Sequence, residues 1–285
     1  MEGFSLEIIR LSFTLEAFEP IHLPSYKGST FHGGFGHALN RISPTWFAYF
    51  YQPKSNDGNE LPKPFVILPP LDEKQTYQAG DKFHVELVLF GRAARHTSIA
   101  LAAIEFLGLE MGLGYSRGKY RIHHVSESSF SFNKANFSSQ AIKLSFITRL
   151  RIKADNRLHT AAPSFERLVS RVFGRLKTLQ QTCGNYQVID EDGYRDALRA
   201  AERIITTAST LYWDDWDRYS GTQNEWMKFG GLLGNICYHG DLQAFIPALQ
   251  LGEWAHIGGK TSFGLGKYSI EYEDAHECSQ TGTSI

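Results

Sequence analysis

The chain has 285 residues, 42% of them hydrophobic and 21% charged, with a formal net charge of -1 and a pI near 6.8. This globular composition excludes wholesale disorder and leaves room for two domains of ordinary size. No apolar run approaches the roughly 20 residues of a membrane span, and Glu2 and Glu7 near the N-terminus do not fit a signal peptide, so a cytoplasmic location without membrane contact is expected. Near-neutral charge also excludes a uniformly basic surface, so any nucleic-acid binding has to come from local patches. Cys183, Cys237 and Cys278 lack paired spacing and read as ordinary thiols, neither a disulfide framework nor a zinc site.

In chain order, alternating apolar residues predict a strand near Leu6–Phe18 and helical spacing predicts a short helix near Phe31–Ile42. Strands follow near Phe65–Leu68 and Phe83–Phe90, then a long helix near Ala94–Met111 and a strand near Tyr120–Val125. The second half opens with a strand near Ile142–Lys153 and helices near Phe165–Thr182 and Tyr194–Ala208. Strands near Leu211–Trp216 and Leu232–Tyr238, a short helix near Leu242–Leu249 and a final strand complete it. Two words recur: Gly118-Lys119-Tyr120-Arg121-Ile122 returns as Gly266-Lys267-Tyr268-Ser269-Ile270, and Leu11-Ser12-Phe13 returns as Leu144-Ser145-Phe146. Interleaved strands and helices with an internal repeat indicate an α+β chain of two tandem ferredoxin-like (RRM-like) domains. Their expected bounds are 1–135 and 141–273, the second carrying a glycine-rich loop, with a polar, disordered tail over 274–285.

Three stretches are suited to chemistry. In Gly258-Gly259-Lys260-Thr261-Ser262-Phe263-Gly264-Leu265-Gly266-Lys267 the glycines admit two readings, a plain hairpin or a loop whose N–H groups and lysines meet a polynucleotide backbone. In the first helix, Phe31, Phe35, Leu39 and Ile42 make the buried face, and at about 100° per residue His37 projects away from it, with His32 nearer its edge. Gly33, Gly34 and Gly36 weaken that helix, which makes sense if something approaches its surface closely. His37 is then either an ordinary surface histidine or a functional one. Third, Arg149, Arg151, Lys153, Arg157, Arg167, Arg171, Arg175 and Lys177 stand against Asp155 and Glu166 alone. Arg149, Arg151 and Lys153 share one strand face with Lys143, and Arg167, Arg171 and Arg175 form one helix stripe, either a solvated face or a phosphate-binding surface. Arg117, Lys119 and Arg121 are candidates to extend it. Asp214, Asp215 and Asp217 read as structural or surface acids, because neighbouring residues of a strand point to opposite faces.

Leu23-Pro24-Ser25-Tyr26-Lys27-Gly28-Ser29, the glycine-rich run to Leu39, Leu89-Phe90-Gly91-Arg92-Ala93 and the Gly258–Tyr268 loop together resemble the CRISPR RAMP endoribonuclease that processes pre-crRNA, the Cas-six type. Pro69-Pro70-Leu71, Trp213–Tyr219 and Phe229–Gly234 extend the resemblance over about residues 20 to 270. It implies tandem ferredoxin-like domains and an endoribonuclease that cuts CRISPR repeat RNA by attack of the RNA's own 2′-hydroxyl. The products would carry 2′,3′-cyclic phosphate and 5′-hydroxyl ends, formed with no metal or other cofactor. The implied partners are repeat RNA, the crRNA product and a CRISPR effector complex, with no DNA. By position His37 inherits the catalytic role with His32 in reserve, Tyr26 and Lys27 serve positioning and charge stabilisation, and Arg149, Arg151, Lys153, Arg167, Arg171, Arg175, Gly258, Gly259, Lys260, Gly264, Gly266 and Lys267 bind RNA. Many relatives carry cysteines after the first helix and Ser43–Lys54 has none, which argues against a metal-supported loop there. The rival reading is a non-catalytic crRNA-binding RAMP subunit; an unrelated α+β enzyme has no motif behind it.

Overall fold

The computed structural model describes residues 6–136, 139–154, 157–183, 190–215, 217–220, 225–228 and 230–273. The tail 274–285 with Cys278, and Trp216 and Phe229 of the resemblance motifs, lie outside the described residues.

The first domain runs β1 (Ile8–Ala17), α1 (Gly28–Ile42), α2 (Pro44–Tyr51), β2 (Phe65–Leu68), β3 (Lys82–Phe90), α3 (Thr97–Phe106) and β4 (Tyr120–Ser129). Its antiparallel sheet has the order β2-β3-β1-β4, with Phe13 of β1 opposite both Val85 and Val125. The second domain runs β5 (Ala141–Leu150), α4 (Phe165–Cys183), α5 (Glu191–Ala201), β6 (Ile205–Ser209), β7 (Tyr212–Asp214), β8 (Gly231–His239), α6 (Ile246–Ala255) and β9 (Tyr268–Glu273). Its sheet has the order β6-β8-β5-β9, and β7 also pairs with β8. β1 therefore lies between β3 and β4 with β2 at the edge, and β5 likewise lies between β8 and β9 with β6 at the edge. The two arrangements are the same ferredoxin-like fold.

Alternation in β1 turns Leu11, Phe13 and Leu15 towards α1 and α3, where they join Phe31, Phe35, Leu39 and Leu107. The opposite face of that sheet is also covered. Ile8, Val66, Val88 and Phe90 pack into the core of the second domain with Leu144, Leu176 and Ile257. Arg10 stacks 3.8 Å over the Trp254 ring, and Thr182 donates to the Pro62 carbonyl at 2.8 Å. The domains thus share one apolar layer.

The repeated Gly-Lys-Tyr word has the same work in both halves. Tyr120 donates to the Ile104 carbonyl at 2.9 Å and Tyr268 to the Leu249 carbonyl at 2.6 Å, fastening β4 to α3 and β9 to α6. A glycine on that helical run, Gly108 or Gly252, leaves room for the ring. The lysines match too. Lys119 donates to the Glu110 carbonyl at 2.5 Å and Lys267 to the Glu253 carbonyl at 2.9 Å, placing a cation on the negative end of each helical segment.

Three expectations need correcting. The second helix of the C-terminal domain stops at Ala201, and Ile205–Ser209 is an edge strand, as its β-branched residues favour. The long helix near Ala94–Met111 is broken into a turn, α3 and a wider π-type turn over Leu107–Met111. Ile42 is exposed, and Ala38 takes its place on the buried face of α1.

Candidate nucleic-acid interface

The glycine-rich loop of the second domain closes on itself. Gly266 N–H donates to the Arg149 carbonyl at 3.1 Å, Gly259 N–H to the Arg151 carbonyl at 2.8 Å, Phe263 N–H to Lys260 and Gly264 N–H to Thr261. Those four groups are already spent within the protein and do not form a cradle for phosphate. Gly266, with φ +75, has no space for a Cβ against the Ile257 carbonyl, and Gly264, with φ +90, would place one 2.5 Å from the Ile67 carbonyl of β2. Both positions require glycine for packing, and both are buried. Lys267 is buried as well, with its pKa lowered by desolvation. Gly264, Gly266 and Lys267 therefore brace the loop from within. Gly259 and Lys260 remain exposed, and a Cβ at Gly259 would find only ordinary contacts.

These exposed residues open onto a cleft of about 790 Å³ between the loop, the end of β5 and α4. Arg151, Lys153, Arg171, Arg175 and Lys260 line it beside Gly258 and Gly259, and among the described residues no carboxylate lines it. Strand and helix thus bring five of the expected RNA-binding cations to one place. Arg171 reaches the Lys153 carbonyl at 2.9 Å and Arg175 the Ala255 carbonyl at 3.3 Å, so each holds the frame while carrying charge into the cleft. Burial lowers the pKa of Arg151, whose guanidinium donates to the Gly230 carbonyl. Arg149 and Arg167 are drawn aside, Arg149 into an ion pair with Asp214 and Arg167 onto the His159 ring at 3.2 Å.

The histidines separate by environment. His32 is buried, stacked on Phe263 of the glycine-rich loop with ring centroids 3.9 Å apart and an interplanar angle of 12°. Phe65 and Tyr51 cover its other sides, so in this arrangement its ring joins the two domains. His256, also buried, has its pKa pushed well below the usual imidazole value, chiefly by desolvation. His37 is exposed. Five residues along α1 turn it about 140° from His32, into a separate cleft of about 370 Å³ that Thr30, Arg41, Leu107, Met111 and Arg117 help to line. Gly34 and Gly36 make room for Leu107 and the Tyr51 ring, so the close approach to α1 is made by the protein itself, whereas a Cβ at Gly33 would meet nothing within 4 Å.

Tyr26 and Lys27 point inward. The Tyr26 hydroxyl donates to the Phe263 carbonyl, and Lys27, 1% exposed, forms an ion pair with Asp72 at 3.2 Å. As placed, neither stands open to a ligand; they tie the segment before α1 to the loop and to β2's neighbourhood. Lys119 and Arg121 do not extend the basic surface either, since Lys119 is on its helix end and Arg121 pairs with Glu16 at 3.1 Å. Burial pushes the Cys183 thiol up to about 12, consistent with an inert packing role. Sequence reasoning missed Thr30 and Arg41 as neighbours of His37. The i, i+4 spacing of His37 and Arg41 on one helix was the available signal.

Residues 144–268 match the family model of the CRISPR-associated endoribonuclease Cas6, and residues 6–142 match a model described as an N-terminal domain (AF_1859_N). A Cas6 product complex superposes with a TM-score of 0.65 at 15% identity, covering 93% of this chain and 99% of that one. The C-terminal domain is thus of the CRISPR Cas6 type. Thermus thermophilus Cas6 gives a TM-score of 0.63 at 14% identity, over 94% of this chain and 100% of that one. A Cas6-related protein from Pyrococcus furiosus gives 0.56 at 10% identity, over 94% and 100%. No curated protein matches the sequence. At these identities the superpositions establish the fold of the chain, while its chemistry has to be argued from its own residues. No helix among the described residues is long and apolar enough to cross a membrane.

Proposed function

We propose that this Cas6-type chain cuts CRISPR repeat RNA at one phosphodiester by making the RNA's own 2′-hydroxyl the nucleophile. The observation that carries the reading is the placement of His37: exposed on α1, in a cleft that also holds Arg41, whereas His32 and His256 are enclosed. A 2′-hydroxyl must lose a proton, a 5′-oxygen must gain one, and the phosphorane between them needs positive charge. His37 moves a proton at one of these oxygens, and Arg41 supplies charge. The bond formed is 2′-O–P and the bond broken is P–5′-O, which leaves a 2′,3′-cyclic phosphate and a 5′-hydroxyl. The reaction consumes no water and calls for no metal. Arg151, Lys153, Arg171, Arg175 and Lys260 hold the backbone in the basic cleft, and Tyr26 and Lys27 act as positioning residues through the loop and the start of α1.

Incubating pure protein with repeat RNA in EDTA tests this. Cleavage at a single position with a cyclic phosphate end is expected, and replacing the nucleotide 5′ to the cut by its 2′-deoxy form should stop it. Tight binding without cutting would instead make the chain a crRNA-binding subunit of an effector complex, a reading favoured by the separation of the basic cleft from the His37 cleft. No binding would exclude both. Cleavage that requires a divalent cation would overturn the proposed chemistry.

A further inference from the structure

The hairpin Leu113–Gly118 of the first domain stands where the glycine-rich loop stands in the second, just before the repeated Gly-Lys-Tyr. It is rigid. Leu113 and Gly118 exchange backbone hydrogen bonds of 2.9 and 3.1 Å, Tyr115 N–H donates to the His22 carbonyl at 3.0 Å, and the Ser116 hydroxyl donates to the Pro20 carbonyl at 2.9 Å. Gly112 and Gly114 have positive φ and no space for a Cβ against the Arg117 and His22 carbonyls. From this frame Tyr115 projects with 81% of its surface exposed. Arg117 is held at φ +50, a left-handed conformation rare for a residue with a side chain, and lines the same cleft as His37 and Arg41. Neither arginine has a carboxylate partner within ion-pair distance among the described residues. Lone exposed aromatics are ordinary; a strained arginine and a rigidly presented aromatic on one hairpin beside an open histidine are a more specific arrangement.

We propose that this hairpin is a nucleotide-holding element, in which Tyr115 takes the face of an unstacked RNA base and Arg117 takes an adjoining phosphate at the His37 cleft. Stacking suits single-stranded RNA because every base has an aromatic face, and a rigid platform loses little entropy on binding. The phosphate contact would set the register of the strand over His37. The inference rests on the reading of that cleft as an RNA-cutting site and adds the contact that fixes which bond reaches it.

The test uses a repeat RNA with 2′-deoxyribose at the cleaved nucleotide, so that it binds without reacting, and 2-aminopurine placed in turn along the strand. Wild type and Tyr115→Phe should quench one position on binding. Tyr115→Ala should lose that quenching and bind about tenfold more weakly, and Arg117→Gln should make the log–log salt dependence shallower by about 0.7. An exposed side chain is not needed for folding, so Tyr115→Ala remains a fair test. If it quenches and binds like wild type while Lys153→Gln/Arg171→Gln loses affinity, the hairpin is idle and the functional reading stands. If wild type binds no repeat RNA, that reading falls and takes this inference with it.

Discussion

The two copies of the Gly-Lys-Tyr loop share a frame and differ at their tips. In both, a lysine sits on a helix end and a tyrosine pins the last strand to a helix, α3 in the first domain and α6 in the second. In the second domain the tip turns inward: Phe263 stacks on His32, Gly264 packs on β2, and only Gly259 and Lys260 remain exposed. In the first domain the tip turns outward, presenting Tyr115 and Arg117. The same scaffold word thus makes a clasp between domains in one copy and an open edge in the other. A glycine-rich sequence reports where a backbone must bend or pack, and the neighbours decide whether a ligand meets it.

The strongest way to break this comparison is to put a side chain into the clasp. Gly266→Ala should destabilise the fold by about 4 kcal/mol, combining a left-handed backbone with overpacking, and chemical denaturation would measure it. A stability within experimental error of wild type would mean that the loop is not a clasp. The basic cleft comes next. Removing two phosphate contacts in Lys153→Gln/Arg171→Gln should reduce the log–log salt slope of RNA binding by about 1.4, whereas an unchanged slope would make that face merely solvated.

A pH titration sharpens the internal character of the second loop. His256, next to it in sequence, is held neutral by burial, so its native pKa lies below its unfolded value. The unfolded chain alone takes up this proton as the pH falls below about 6.5. The His256 contribution is therefore fully present above that pH and is lost below it by up to about 1.4 kcal/mol per unit. Urea unfolding of wild type and His256→Gln at pH 5 and pH 7 should show the steeper loss in wild type; parallel losses would place His256 in contact with solvent. The smallest effect is expected at Gly259, where a Cβ meets nothing closer than 3.7 Å. Gly259→Ala should leave stability within about 0.5 kcal/mol of wild type, and a larger loss would extend the clasp to the loop's exposed side.

Much of the fold was legible in the sequence because it rests on periodicity. The alternation in β1 and β5, the helical spacing of α1 and α4 and the repeated Gly-Lys-Tyr all report local geometry that tertiary packing then reinforces. The helix α2 was missed although Ser43 caps it and Pro44 starts it, because the aromatic side chains of Trp46, Phe47, Tyr49, Phe50 and Tyr51 surround it and leave no polar face to mark its period. The site was legible only in part. Helical geometry indicated that His37 faces outward, and charge counting found the cations of the basic cleft. Lys27 looked suited to stabilising charge at the cut, and Lys267, Gly264 and Gly266 to holding RNA, but their partners lie far away in sequence, at Asp72, Glu253, Ile67 and Ile257, or within the same turn. A residue type states what it can bind, and only the folded neighbourhood shows that it is already bound.

The central claim is that the exposed histidine of α1 performs proton transfer in a cleavage that the RNA's own 2′-hydroxyl begins. Single-turnover cleavage of repeat RNA in EDTA by His37→Ala tests it most directly. The rate should fall by roughly 10²–10⁴-fold while RNA affinity stays near that of wild type, because the basic cleft is untouched. Cleavage by His37→Ala at the wild-type rate would contradict the assignment.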